Sequence, residues 1–243
     1  MARLFISATH QNVGKTTTSL GLYALFRSLG KRVHFIKPVG QRFVESEGGE
    51  VADEDAVLMR EFFDREVSLS HMSPVTIPPG FTSRYVFDRN ISEIYGKIDA
   101  AMASVDKDVD VTLIEGTGHA GVGSVIDASN PDVAAHLKAK AIIIAGAGVG
   151  RPIDEICLNK ALFDLAGVEV IGAIINKVSP SRRDELDPIL RQGLANKGIR
   201  CLGVMPHNLD LTLPTVGQLV KELKLEVIAG EQYLANRVKN TIV

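Results

Sequence analysis

The sequence predicts an α/β protein built on a doubly wound, mainly parallel sheet with helices on both faces. Three observations carry that reading. Short runs such as Leu4-Phe5-Ile6 and Ala141-Ile142-Ile143-Ile144 are apolar at every position, as strands buried on both faces must be. These runs alternate with longer stretches of helical spacing, the order that builds parallel strand–helix–strand units. The first such junction reads Asn12-Val13-Gly14-Lys15-Thr16-Thr17 between a strand and a helix, the layout of a phosphate-binding loop.

Arg3–Ala8 reads as a buried strand and Lys15–Leu29 as a helix, with Leu22, Leu25, Phe26 and Leu29 at i, i+3, i+4, i+7 and Gly30 as the stop. Val33–Lys37 is the second strand, and the short return between them implies a right-handed crossover. Gln41–Arg89 is the least regular region. It holds a polar Gly-rich stretch (Glu45–Glu50), an acidic helix start (Asp53-Glu54-Asp55) and a Pro/Ser-rich loop (Ser70–Ser83). Connections that long are usually functional, a mobile surface excursion being the plain alternative. A helix from Ser92 to about Ser104 leads to the strand Val111–Glu115, which ends in a carboxylate and opens a loop containing Gly116, Gly118, Gly121 and Gly123. Pro131–Leu137 reads as a short helix and Ala141–Ala147 as a strand. Pro152 suits the first turn of the next helix, which ends before Gly167. Glu169–Asn176 reads as a strand, Ser181 as the cap of a helix to Lys197, and Cys201–Val204 as a last strand. Residues 1–208 thus form one domain. From 209 to 243 the character changes: a Leu213-Pro214 turn, a short helix over Thr215–Leu223, an apolar Val227-Ile228-Ala229 and a closing helix look like the start of another module.

With 243 residues and 45% hydrophobic content, the chain can bury one substantial α/β core. A net charge of −2 without a Lys/Arg stripe argues against a nucleic-acid partner. The longest apolar or glycine run, Ala141–Gly150, is too short to span a bilayer. The first strand begins at once, which leaves no signal peptide. Cys157 and Cys201 lie in apolar runs and read as buried, inert thiols. A cytoplasmic protein without membrane attachment is the expectation.

Ligands of open parallel sheets sit beyond the carboxyl ends of the strands. Four such ends carry chemistry-bearing residues. At the first, amides at a helix N-terminus converge on an anion, Lys15 reaches the terminal phosphates and Thr16 ligates Mg²⁺. Thr9 stands where the strict motif has its first glycine, and the plain alternative is a helix start capped by Thr16 or Thr17. Glu115 can hold Mg²⁺ facing the phosphates or be a solvated strand-end acid. Asp55 is a second Mg²⁺ ligand or an acid favoured by the helix dipole. Lys37 approaches a transferred phosphoryl group or snorkels to the surface. Asn176 can read adenine through its amide. The guanine-reading Asn-Lys-x-Asp pattern is absent, since Ser179 stands in the Asp position.

The set Gly14-Lys15-Thr16, Lys37-Pro38-Val39-Gly40, Asp55-Ala56, Glu115-Gly116-Thr117-Gly118 and Asn176-Lys177 resembles the dethiobiotin synthetase family. It is more similar still to the domains of that kind that precede the acyl-transfer domain in long phosphate acetyltransferases. Cobyrinic acid a,c-diamide synthase relatives belong to the same group. The tail from Leu213 resembles the first part of a DRTGG regulatory domain. The resemblance implies a P-loop nucleoside triphosphatase fold and a homodimer with its small-molecule substrate near the subunit interface. It implies that Asn12–Thr17 hold the phosphates of ATP, that Thr16, Asp55 and Glu115 hold Mg²⁺, that Lys37 approaches a carbamate and the γ-phosphate, and that Asn176 contacts adenine. Ala8 replaces the family's first loop glycine, His10 replaces an acid, and His119–Ser124 is not the glycine-rich loop of the dethiobiotin enzyme.

Two functions are therefore expected. The first is ATP-dependent activation of a carboxylate or carbamate for ligation to an amine, with Lys15 and Lys37 as catalytic residues. The second is nucleotide sensing without net chemistry, as in the N-terminal domains of phosphate acetyltransferases. A partner-switching ATPase of the ParA/MinD kind is a third reading, in which the extra lysine early in the loop would fall at His10.

Overall fold

In the computed structural model, residues 2–45, 49–63, 66–105, 108–211 and 213–239 are described; residues 46–48 of the expected Gly-rich stretch, Thr212 and the end of the expected closing helix lie outside them. In chain order the elements are β1 (Ala2–Ala8), α1 (Lys15–Ser28), β2 (Val33–Ile36), β3 (Val39–Gly40), β4 (Phe43–Glu45), β5 (Val51–Asp53), α2 (Glu54–Phe62), α3 (Leu69–Met72), β6 (Val75–Thr76), α4 (Phe81–Phe87) and α5 (Ile91–Val105). There follow β7 (Val111–Glu115), α6 (Asn130–His136), β8 (Lys140–Ala145), α7 (Gly150–Leu165), β9 (Val170–Val178), α8 (Arg183–Ala195), β10 (Cys201–Pro206) and α9 (Val216–Glu222).

Six strands form the central sheet in the order β10-β9-β8-β1-β7-β2. β1 pairs in parallel with β7 and β8, β7 with β2, and β8 with β9. Alternation along each strand divides the side chains between two cores. Phe5, Ile36, Ile114, Ile143 and Ile175 face one side, where α5, α6, α7 and α8 bring Ile98, Val133, Ile156 and Leu190. Ile6, Phe35, Leu113, Ile144 and Ile174 face the other, packed with Tyr23, Met59 and Leu69 of α1, α2 and α3. Neighbouring residues of one strand thus serve opposite cores, which is why these runs are apolar throughout.

Several sequence expectations change in detail. In α1, Leu25 and Leu29 are exposed, while Lys15, Thr18, Ser19 and Tyr23 are buried. Leu20, Leu22 and Phe26 do pack, partly buried, against the core beside Tyr23, while the first turns of the helix cover a charged site. Ser181 does not cap α8: it lies in a 3₁₀ turn, Pro180–Arg182, that leads into the helix. Cys157 and Cys201 are unpaired and half-buried rather than buried. The region Gln41–Arg89 is more regular than it reads, with β4 pairing antiparallel to β5 and β3 parallel to β6.

The chain divides into two compact units between Met205 and Pro206. In the second, α9 opens on a reciprocal cap: Gln218 N donates to Thr215 Oγ1 at 3.1 Å, and Thr215 N donates to Gln218 Oε1 at 2.8 Å. A bridge joins Thr215 to Arg237. The closing helix expected after Ala229 is, among the described residues, a 3₁₀ turn over Glu231–Tyr233. Gly217 N bonds Leu234 O at 2.8 Å and Val216 N bonds Asn236 O at 2.9 Å, so this backbone is spent on α9 rather than on a helix of its own.

Candidate functional site

The parallel strands deliver their carboxyl ends to one edge of the sheet. Ile6 of β1 is in register with Glu115, the last residue of β7. Ile36 of β2 is in register with Ile114, so Lys37 leaves its strand beside Glu115. The backbone N–H of Lys37 donates to Met72 O at 2.7 Å, which turns the chain toward the segment that carries Asp53 and Asp55. That segment is the long connection after β2; it supplies part of the site.

Thr16 lies at the centre. Its hydroxyl is 2.8 Å from Asp55 Oδ1 and 3.1 Å from Glu115 Oε1. Ser19, one turn on along α1, donates to Glu115 Oε2 at 2.6 Å. Both oxygens of the fully buried Glu115 are therefore met by hydroxyls of α1. The Lys37 ammonium is ion-paired with Asp55, and it lies 3.3 Å from Asp53 Oδ1 and 3.5 Å from Glu115 Oε1. Lys15 is buried beside the same groups.

Burial and charge pull against each other here. Burial pushes the Glu115 carboxyl up to about 7, against the Lys37 ammonium, with the Asp55 charge reinforcing the rise. Burial alone would lower Lys37, but Glu115, Asp55 and Asp53 together hold it above the usual lysine range. Lys15 is lowered, chiefly by burial and then by the like charge of Lys37, despite Glu115 and Asp55. For Asp55, burial works upward, but the Lys37 ammonium beside it holds its carboxyl below the usual range. Perturbation of this kind in a cluster at a sheet edge marks functional sites.

The phosphate loop is shaped from its outer side. Helix geometry leaves the first amides of α1 without intrahelical acceptors, and Gly14 supports their approach with φ 100°. Asn12 also takes a left-handed conformation, with φ 61°. Two side chains from β9 hold successive loop carbonyls: Asn176 Nδ2 donates to Val13 O at 2.8 Å, and Lys177 Nζ donates to Asn12 O at 2.6 Å. Asn176 Oδ1 in turn accepts from Lys177 N at 2.8 Å. Val13 is buried, whereas Thr17 is exposed on α1. His119 stands apart, its Nδ1 accepting from Gly121 N at 3.1 Å.

Comparison with known proteins agrees with this geometry. A protein family described as AAA domain (AAA_26) matches residues 2–215. The chain belongs to that family. It is 24% identical over 247 residues to a phosphate acetyltransferase of Synechocystis sp., covering 99% of this chain and 34% of the relative. It is 26% identical over 187 residues to the ATP-dependent dethiobiotin synthetase BioD 2 of Salmonella typhimurium, covering 74% of this chain and 76% of the relative. The chain thus spans about a third of the length of the phosphate acetyltransferases it matches. Among solved structures, the MinD cell division protein of Aquifex aeolicus superposes with a TM-score of 0.54 at 14% identity, over 87% of this chain and 85% of that one. MinD of Pyrococcus horikoshii, complexed with Mg-ADP, does so with a TM-score of 0.50 at 14% identity, over 86% and 82%. These likenesses identify the fold as that of P-loop nucleoside triphosphatases.

Within this AAA domain, five of the residues expected from sequence meet in one cluster: Lys15, Thr16, Lys37, Asp55 and Glu115. Asn12, Val13 and Gly14 form the loop beside it, with Asn176 behind them. Two members escaped the sequence reading. Ser19 was hidden by the expectation of an apolar helix face, although a serine three residues after Thr16 lies on the same side of a helix. Asp53 was legible only as part of an acidic helix start; an acid just before a helix is the signature of an N-cap. The oxygens of Thr16, Asp55 and Glu115 are hard donors within hydrogen-bond reach of one another, which suits Mg²⁺. Among the described residues no group of three or more His, Cys, Asp or Glu is arranged to hold a metal ion by itself. Mg²⁺ characteristically takes one or two carboxylates and completes its shell with substrate phosphates and water.

Proposed function

We propose that this AAA domain binds Mg·ATP and uses it to activate a carboxylate or carbamate for ligation to an amine. The observation that carries the reading is the Thr16 hydroxyl, which bridges Asp55 and Glu115 at the mouth of the phosphate loop. Asn12–Thr17 cradle the phosphates, and Asn176, whose amide also holds the Val13 carbonyl, is the residue assigned to adenine in this reading. Thr16, Asp55 and Glu115 hold Mg²⁺, which supplies charge neutralisation on the phosphates. Lys15 and Lys37 donate to the transferred phosphoryl group. Such catalysis consists of positioning and charge stabilisation. The γ-phosphorus–oxygen bond to ADP breaks as a substrate carboxylate oxygen bonds to phosphorus; the amine then displaces phosphate from the acyl phosphate and loses a proton. The likeness to an ATP-dependent dethiobiotin synthetase supports this reading.

Calorimetric titration with a non-hydrolysable ATP analogue and Mg²⁺ tests it. Wild-type protein is expected to bind saturably. Lys15→Ala, losing charge-assisted bonds each worth about 1.5–3 kcal/mol, is expected to bind at least roughly tenfold more weakly. Unchanged binding by Lys15→Ala rejects the proposal. Phosphate release in the presence of carboxylate and amine substrates then tests turnover.

A second reading is a nucleotide sensor. It is favoured by the match of 99% of this chain to 34% of a phosphate acetyltransferase. Bound nucleotide would shift the relation between this domain and the DRTGG-like module begun at Leu213, without net chemistry. Saturable Mg·ATP binding without phosphate release across a wide panel of substrates selects the sensor. Self-association belongs to either reading: Leu158, Leu162 and Leu165 line the exposed side of α7 at helical spacing, which supports a homodimer. No helix among the described residues is long and apolar enough to cross a membrane.

A further inference from the structure

Arg42 stands beside the charged cluster, yet no role expected from sequence falls on it. Its main chain is fixed on both sides: Arg42 N donates to Asp53 Oδ2 at 3.2 Å, and Glu54 N donates to Arg42 O at 2.8 Å. Just before it the chain passes close to the same aspartate, since a Cβ on Gly40 would fall 2.6 Å from Asp53 Cβ. The other Asp53 oxygen caps α2 by accepting from Asp55 N at 3.1 Å, and it lies 3.3 Å from the Lys37 ammonium. One buried carboxylate thus ties the backbone of Arg42 to the helix start that carries Asp55.

The Arg42 side chain is held far more loosely. It is 61% exposed, and its Nη1 donates to Oε1 of the exposed Glu54 at 3.1 Å. Exposed pairs of this kind contribute little to stability, so such a partner is readily exchanged. The Arg42 charge nonetheless bears on the site: Lys15 is lowered chiefly by burial, then by Lys37, and Arg42 adds to that lowering.

The site has a use for a further cation. Lys37 is already matched by Asp55, Glu115 and Asp53. A Mg²⁺-bound triphosphate brings surplus negative charge, which phosphoryl transfer requires the protein to neutralise. A guanidinium meets phosphate through two parallel N–H donors, and such bonds outweigh an exposed pair with a carboxylate.

We propose that Arg42 is a further nucleotide-contacting residue of this site. With its backbone fixed on Asp53 and Glu54, its guanidinium leaves Glu54 for the terminal phosphate of a bound nucleoside triphosphate. The site thereby distinguishes triphosphate from diphosphate. The inference rests on the Mg·nucleotide reading above, to which it adds a third cation beside Lys15 and Lys37.

Calorimetric titration with Mg²⁺ and either a non-hydrolysable ATP analogue or ADP tests it, in wild-type protein, Arg42→Ala, Glu54→Gln and the double variant. Arg42→Ala is expected to bind the analogue about tenfold more weakly and ADP within about twofold of wild type. Glu54→Gln frees Arg42 and is expected to tighten the analogue about threefold, a gain that disappears in the double variant. Equal losses for analogue and ADP in Arg42→Ala overturn the inference, as does a Glu54→Gln gain that survives in the double variant. No loss for either nucleotide overturns it too, and would leave a second substrate's carboxylate as the partner of the guanidinium. If wild-type protein binds neither nucleotide, the Mg·nucleotide reading fails and this inference with it; sound wild-type binding with an indifferent Arg42→Ala rejects the inference alone. Should Arg42→Ala not fold, the Arg42 Nε–H resonance of wild-type protein, assigned through its own backbone, decides. It is expected to shift with the analogue and not with ADP, and equal shifts count against.

Discussion

Asn176 and Val13, 163 residues apart in sequence, are joined by a 2.8 Å hydrogen bond from the Asn176 amide to the Val13 carbonyl oxygen. With Lys177 holding Asn12 O, it turns two successive carbonyls outward, so that the loop can present N–H groups to an anion. Substituting Asn176→Ala leaves the Val13 carbonyl without this donor. A net bond of this kind contributes about 1 kcal/mol. We expect roughly fivefold weaker binding of an ATP analogue with Mg²⁺, measured by calorimetry.

Gly14 closes the loop against the same amide. Its φ of 100° disfavours any side chain, and a Cβ there would fall 2.3 Å from Asn176 Nδ2. Gly14→Ala is therefore expected to displace Asn176 and abolish measurable nucleotide binding. A mid-helix control on the exposed side of α1, Gly21→Ala, meets no atom within 4 Å and should raise stability by about 0.5–1 kcal/mol. Nucleotide titration and thermal melts check the two together.

His34 reports on the opposite side of the protein's chemistry. It is buried on β2, its Nε2 has no hydrogen-bond partner among the described residues, and burial, with His71 nearby, lowers its pKa from 6.5 to about 3. The unfolded chain takes up a proton below pH 6.5 that the folded chain refuses, so the stability His34 confers as a neutral ring is complete above that pH and lost as pH falls toward 3. The slope is about 1.4 kcal/mol per pH unit. Urea melts at pH 7.5 and pH 5 should differ more for wild type than for His34→Leu. Equal losses reject this assignment.

The exposed leucines of α7 make a further prediction. Leu158→Lys with Leu162→Lys should leave the fold intact, since both side chains lie outside the core. If α7 is the homodimer face, light scattering will report dimer for wild type and monomer for the double variant.

Much of the fold was legible because its signals are local. Strands apolar at every position announce a sheet covered on both faces, and Gly14-Lys15-Thr16 after such a strand announces a phosphate loop. The parallel order then brings Lys37 and Glu115 to one edge. What stayed hidden depends on where side chains meet. Ser19 reads as one polar residue in a helix until β7 brings Glu115 beneath it. Leu25 and Leu29 read as core until α1 is seen to turn them outward and to spend its first turns on the site. Asp53 reads as a helix start until Gly40 lets its strand close on Lys37. Hydrophobic period and motif spacing are written along the chain and determine which elements form. Pairing of a buried charge depends on distances between segments far apart in sequence, and only the packed structure decides them.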